Sequence, residues 1–340
     1  MGERQRGPSI QDVARESGVS VATVSRALRG LPNVAASTRE RVQKVASELS
    51  YRADPSAARL ATGRTKLVQL ATPTVDGWYF SRFLAGAIDH LVANGYEAIA
   101  HPLEDPVTRD EFLNDIGQVE KRVDGLILVD LNISAEAATE LANVGARVVT
   151  VGFATAHFPS VVVDDYRVGY LATEHLLTTG HSRIGVISGQ PSHPLAFSVP
   201  GLRLAGYTGA LAAAGFAVDP ELEQFGQFTA EGGRVAMERL LDLDDPPTAV
   251  FAMSDEMAFG AIRAIQDRKL EMPNDVAIVG VDDHEIATMV GLTTVRLYPR
   301  KIGALAAGRL LALVDPNIES GEGGELESPY LVVRNSTVET

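Results

Sequence analysis

Between Ser9 and Leu28 the residues follow a spacing that few backbones can use. Ala14 lies four positions before Gly18, Val19 follows at once, and Val13, Val24 and Ala27 add apolar side chains at helical intervals. Two short helices joined by a tight turn need this arrangement. The small Ala14 lets the second helix come close, Gly18 can take the positive φ of the turn, and Val19 plugs the angle between the helices. Ser20 stands where an N-cap is wanted, so the second helix is expected over 21–28. The pattern is that of a helix-turn-helix, and it implies double-stranded DNA as a partner.

A net charge of −14 over 340 residues argues against nucleic acid until the charges are placed. Residues 1–66 hold 12 Lys/Arg against 6 Asp/Glu, whereas the other 274 hold 18 against 38. A basic head on an acidic body confines DNA contact to the head, and the body repels phosphate. The absence of cysteine excludes disulfides, thiolate metal sites and cysteine nucleophiles. No apolar run is long enough to span a bilayer, and the N-terminus lacks a secretory pattern, so the expectation is a cytoplasmic protein without membrane contact.

Further along, Ser37 and Glu40 read as a capping box opening a third helix with Val42, Val45, Ala46 and Leu49 on one face. Asp54 and Pro55 open a short helix that Gly63 ends, a segment too short to hold its shape without DNA or a second copy. From Lys66 onward, β-branched runs at 67–71, 126–129, 148–151, 184–187, 249–253 and 276–281 alternate with helical patterns at 80–94, 167–179, 202–214 and 255–268. Such alternation predicts parallel sheets covered by helices, and its length predicts two successive α/β lobes. A soft Gly/Glu-rich stretch covers 320–327.

The chain resembles the lactose-repressor (LacI/GalR) family of bacterial transcriptional regulators over nearly its whole length. The resemblance is carried by 10–28, Asn33 with Val34, 38–42, 60–65, Arg122-Val123-Asp124-Gly125-Leu126, 172–176, 203–207, 254–258 and 279–283, in order and at the family's spacing. It implies a small all-α helix-turn-helix headpiece (1–53), a hinge helix and linker (54–66), and an α/β two-lobed periplasmic-binding-protein-like domain (67–340) with parallel sheets and three crossovers. The N-lobe would take about 67–166 and 296–320, the C-lobe about 167–295 and 326–340. It also implies a homodimer on a palindromic operator, controlled by a small-molecule effector, a sugar or sugar derivative, in the interlobe cleft.

A recognition helix sets its first residues against base edges in the major groove. Here these are Val21, Ala22 and Arg26. Arg26 can take guanine O6 and N7 together, while Val21 and Ala22 can meet a thymine methyl. Val21 has a rival reading as a buried contact at the helix cap. Thr23, Ser25 and Asn33 then fall to phosphates, which position the head without reading sequence. By resemblance Arg59 and Leu60 join the DNA-contacting set, with Leu60 a wedge paired with its copy in the minor groove, or alternatively a core contact of the hinge. The chain departs from the family in having Ala53 and Ala58 where Pro and Arg are usual, with Pro55 and Arg59 displaced.

Ligands of open α/β sheets sit beyond the carboxyl ends of strands. Trp78, Tyr79 and Phe80 follow the first strand and suit the apolar face of a sugar ring, Arg203 opens a helix, and Asp282 directly follows the run 276–281. The resemblance makes these pocket residues, together with Phe228 and Ser254. Each has a second reading: Asp282 with Glu285 is also a capping box, Ser254 an N-cap, Arg203 a surface arginine, and Trp78 and Phe228 plain core. Gly152 and Leu297 replace the family's usual acid and glutamine, which predicts a ligand less rich in hydroxyls than a simple hexose.

No metal-ligand spacing, nucleophile elbow, P-loop or dinucleotide fingerprint occurs, so neither enzyme chemistry nor a cofactor is expected. The rivals are a sugar-binding protein, a sugar-converting enzyme with an appended DNA domain, and a regulator that answers to a nucleoside or purine.

Overall fold

A computed structural model describes residues 8–28, 32–51, 64–119, 121–131, 133–189, 198–315, 317–318 and 326–338. The expected hinge helix with Arg59 and Leu60, and most of the Gly/Glu-rich stretch, fall outside these residues. The chain divides into two units, Met1–Thr65 and Lys66–Thr340.

In the first unit α1 spans Ile10–Ser17, α2 Val21–Leu28 and α3 Ala36–Glu48. Ser9 and Asp12 cap α1 reciprocally, and Gly18 ends it with φ 67°. Positive φ costs glycine little, which is why the chain can turn there at once. Val13, Ala14, Val24, Ala27, Val42 and Ala46 form the small core, with Val19, Val45 and Leu49 packed against it. The expected capping box at Ser37 is not formed. The carbonyl of Ala35 already accepts from Thr38 and Arg39, so the helix is under way before Ser37, and no side chain caps it.

Ser20 does cap α2: its Oγ accepts from the Thr23 N–H at 3.2 Å and lies 2.9 Å from Thr23 Oγ1. Ser20→Ala should therefore cost the head about 1 kcal/mol. Hydrogen exchange of the α2 amides in the full-length chain would show it as several-fold faster opening, with the body's amides unchanged.

The second unit begins with β1 (Leu67–Thr72), α4 (Trp78–Ala93), β2 (Glu97–Pro102), α5 (Pro106–Asn114), α6 (Ile116–Val119), β3 (Gly125–Val129), α7 (Ala135–Asn143), β4 (Val148–Val151) and β5 (Ser160–Val161). It continues with α8 (Asp165–Thr178), β6 (Ile184–Ser188), α9 (Val199–Ala213), β7 (Glu223–Phe225), α10 (Ala230–Leu241), β8 (Ala249–Ala252), α11 (Asp255–Asp267), β9 (Ala277–Asp282), α12 (Glu285–Met289), β10 (Thr293–Arg296), α13 (Pro299–Val314) and β11 (Tyr330–Val332).

Two sheets result. The first runs β2-β1-β3-β4-β5 and is parallel throughout; the second runs β11-β10-β9-β8-β6-β7, parallel except for β11. Strands β3, β8 and β9 are buried at every residue, as apolar strands covered on both faces must be. The chain leaves the first sheet after β5 and builds the second. It then returns, since α13 packs on α4 and against β3 to β5, and it crosses once more to lay β11 beside β10. Three crossings therefore join the lobes. In each sheet the order reverses once, between β1 and β3 and between β6 and β8, and a crevice opens there beyond the carboxyl ends.

The short strands β2, β5, β7, β10 and β11 were not foreseen from sequence. Apart from β10, which is mostly buried beside β9, they run along sheet margins, and the margin strands are only part-buried. Their residues thus lack the continuous apolar run that marks a central strand.

Candidate functional site

The head presents one face of α2 to solvent. Val21, Ala22 and Arg26 are exposed, with Val21 at 42%, so the reading of Val21 as a buried cap contact does not hold. Thr23 and Ser25 are half-buried beside them, and Thr23 shares its hydroxyl with Ser20. Asn33 is exposed with φ 71°, a backbone state that asparagine tolerates better than most residues. Burial of Val24 and Ala27 fixes which face is left outward, since residues three and four apart share a side of a helix.

In the body a cavity of about 720 Å³ opens where the carboxyl ends of both sheets face each other. From the first lobe come Tyr79 and Phe80 on the first turn of α4, Asp130 just past β3, and Gly152 just past β4. From the second come Asp165 and Arg203 on α8 and α9, Phe228 after β7, Ser254 after β8 and Asp282 ending β9. Leu297 adds an apolar wall.

Of the effector residues expected from sequence, Tyr79, Phe80, Arg203, Phe228, Ser254 and Asp282 are brought together. Trp78 is not among the lining residues. Its indole N–H donates to Glu285 at 2.5 Å, its ring lies 5.1 Å from that of His284, and Arg82 of the same helix pairs with Glu285. Trp78 thus ties the lobes together at the rim, since successive side chains of a helix are turned by about 100° and Trp78 points away from the cleft that Tyr79 and Phe80 line.

Arg203 is no surface arginine. It is 5% exposed, donates through Nε to Asp165 at 2.8 Å and through Nη1 to the carbonyl of Met253 at 2.5 Å. Ser254 both caps α11, accepting from Met257, and lines the cleft. Asp282 does not cap α12; its carboxylate accepts instead from the backbone N–H of Asp255, the first residue of α11. Asp282 ends β9 with φ 118°, and the cap of α12 is His284, whose Nδ1 accepts from Ile286. The capping-box reading of Asp282 with Glu285 therefore fails, because Asp282 is still in the strand.

Asp130 was missed. It follows the run 126–129 as directly as Asp282 follows the run 276–281, and the same rule would have found it. Its position also changes the meaning of Gly152. A Cβ placed on Gly152 would meet Asp130 Oδ1 at 1.7 Å, and Gly152 holds φ 82°, so the acid lost at one strand end is replaced by the acid of the next strand. Of the two departures from the family pattern, Gly152 is thus matched by Asp130, whereas Leu297 presents an apolar side chain to the cleft.

Burial raises the carboxyl pKa of Asp130 to about 7, with Asp165 adding to the rise and Arg203 opposing it. Burial likewise raises Asp282 to about 7, against the pull of Arg203. Burial also raises Asp165, with Arg203 opposing. Tyr79, half-buried among Asp130, Asp165 and Asp282, has its phenol pushed well up by burial and then by those carboxylates. Burial thus holds the ionisation of the cleft acids in check. Among the described residues no group of His, Cys, Asp and Glu is placed to hold a metal ion.

Comparison with known proteins agrees with this geometry. Residues 9–54 match the model for bacterial regulatory proteins of the lacI family, and residues 173–337 match that for a periplasmic binding protein-like domain. Catabolite control protein A of Priestia megaterium is 33% identical over 335 residues, covering 97% of this chain and 99% of the relative. The lac repressor dimer bound to operator and the anti-inducer ONPF is 26% identical with a TM-score of 0.85, covering 98% and 100% of the two chains. A complex of the transcriptional regulator CelR with cellobiose is 28% identical with a TM-score of 0.67, covering 97% and 99%. With a relative of that identity matching from end to end, the chain belongs to the lacI family of bacterial regulatory proteins and is a DNA-binding transcriptional regulator.

Proposed function

We propose that the protein is a repressor that grips a palindromic operator as a homodimer and changes its hold when a small polyhydroxylated effector fills the interlobe cleft. The observation that carries this reading is the joining of an outward α2 face in the head to a roomy cleft lined from both lobes in the body. Similarity to a repressor solved on its operator and to a regulator solved with cellobiose supports it. In this reading Val21, Ala22 and Arg26 meet base edges, Thr23, Ser25 and Asn33 meet phosphates, and Arg59 and Leu60 act in the minor groove. Residues 1–53 serve as the head, 54–66 as the hinge, and 67–340 as the sensor.

One helix-turn-helix covers about half a turn of groove, so two copies related by a dyad are the economical way to read an inverted repeat. The effector acts by preferring one lobe arrangement, which shifts the population able to bind DNA. The protein works by binding and not by turnover, and it acts in the cytoplasm, where its DNA partner lies.

The test is operator selection from random duplexes, followed by titration of the selected site at several salt concentrations. Affinity should fall steeply with salt, as counterions are released from the phosphates. Arg26→Ala should reduce discrimination at one base pair of each half-site by about 1–3 kcal/mol. A ligand that alters operator affinity should be recovered chemically unchanged. No preference for any inverted repeat over random duplex would sink the reading.

A further inference from the structure

We infer that the effector of this cleft carries a protonated amine beside its hydroxyls, as an amino sugar or an amino-polyol does. This rests on the cleft being the effector site. Among its described lining residues are the carboxylates of Asp76, Glu104, Asp130, Asp165, Glu256 and Asp282, against the single cation Arg203. That cation is already engaged. Its Nε holds Asp165 and its Nη1 holds the Met253 carbonyl, so it leaves Asp130 and Asp282 without an opposite charge of their own.

Asp130 carries the argument furthest. It is 9% exposed, it lines the cavity, and no hydrogen-bond partner reaches its carboxylate from the described residues. The missing side chain of Gly152 makes the space for it. A buried carboxylate left unmatched is costly, and what lowers that cost is a cation delivered by the ligand. A neutral sugar can donate hydroxyl hydrogens to Asp130 and Asp282, but it leaves their excess negative charge in place. An ammonium donates hydrogen bonds and cancels the charge together. The same surplus repels sugar phosphates and nucleotides. Tyr79, Phe80 and Phe228 offer aromatic faces to a ring, and such faces also attract a cation.

The carboxyls of Asp130 and Asp282, held at about 7, add a signature. An ammonium binds their ionised forms, so its binding releases protons and tightens as pH rises from about 6 to about 7.5. A neutral polyol gains nothing from that rise. The groups facing Asp130 and Asp282 are Asp165, Asp255, Arg203, Glu256 and Tyr79, and of these only Arg203 is cationic.

The experiment is calorimetry on the full-length protein with matched ligands: glucosamine, N-acetylglucosamine and glucose, then fully deacetylated chitobiose and cellobiose, with spermidine as an amine lacking hydroxyls. The amino sugar of each set should bind roughly ten- to a hundredfold tighter than its neutral partners, as expected for a charge-assisted hydrogen bond in a buried site. That advantage should grow with pH, and Asp130→Asn should erase most of it. Should that variant fail to fold, the pH dependence of the wild type decides alone. Equal binding of the neutral partners overturns the inference while leaving the effector cleft intact. Spermidine matching the amino sugars overturns the hydroxyl-bearing half. Binding by none of the set overturns both the inference and the carbohydrate reading of the cleft.

Discussion

Replacing Arg203 by alanine is expected to cost about 3–5 kcal/mol of folding stability, the usual penalty for removing one partner of a buried ion pair. Both partners are nearly dry, at 7% side-chain exposure for Arg203 and 4% for Asp165. Without the guanidinium, Asp165 loses its ion pair and the Met253 carbonyl loses a donor. Asp130 and Asp282 lose the one cation that restrains their own rise. Protonation can relieve part of this burden, so the loss should be greater at pH 8 than at pH 6. Urea unfolding of the full-length protein at both values measures it. Arg203→Met, which keeps much of the volume, separates lost charge from lost packing. A loss below about 1 kcal/mol at pH 8, the scale of an exposed pair, would show that the cleft does not depend on this cation.

The second large effect is a stability that declines as pH rises toward neutrality. Asp130 and Asp282 are held at about 7 in the folded protein against 3.8 for a free side chain. The native state therefore keeps protons that the unfolded chain has released, and stability falls across that window and levels off above it. A carboxyl at about 7 in place of 3.8 disfavours the ionised native form by roughly 4 kcal/mol, and two neighbouring acids do not add in full.

Three histidines work the other way. Burial lowers the pKa of His175, His181 and His284 below 6.5, so the native state gives up stability as pH falls through that value. None of them is a buried residue, whereas both aspartates are, so the carboxyls outweigh them between pH 3.8 and about pH 7. The melting temperature should fall by several degrees from about pH 5 to about pH 7 and level off toward about pH 8. Asp282→Asn should flatten the decline. A melting temperature that climbs from about pH 5 to about pH 7 would mean that the cleft carboxyls are ionised at little cost.

Much of the architecture could be read from residue order. The second helix runs from Val21 to Leu28, and the fourth strand from Val148 to Val151, at the very bounds expected. Central strands and their helices fell within a few residues of expectation, because apolar periodicity and capping act between residues three or four apart. The head followed for the same reason, since Ala14, Gly18 and Val19 meet within one turn.

Other features were decided only when distant segments met. The cap of α12 moved from Asp282 to His284, because pairing with β10 keeps Asp282 in the strand. Trp78 went to the rim, because Glu285 waits on the other lobe, some two hundred positions away in sequence. Arg203 went inward to Asp165, and Asp130 took the room that Gly152 leaves. Local pattern reports which face of an element is apolar, and hence what the elements are. Which charges then lie together depends on how strand ends from two sheets converge, and no window of neighbouring residues contains that information.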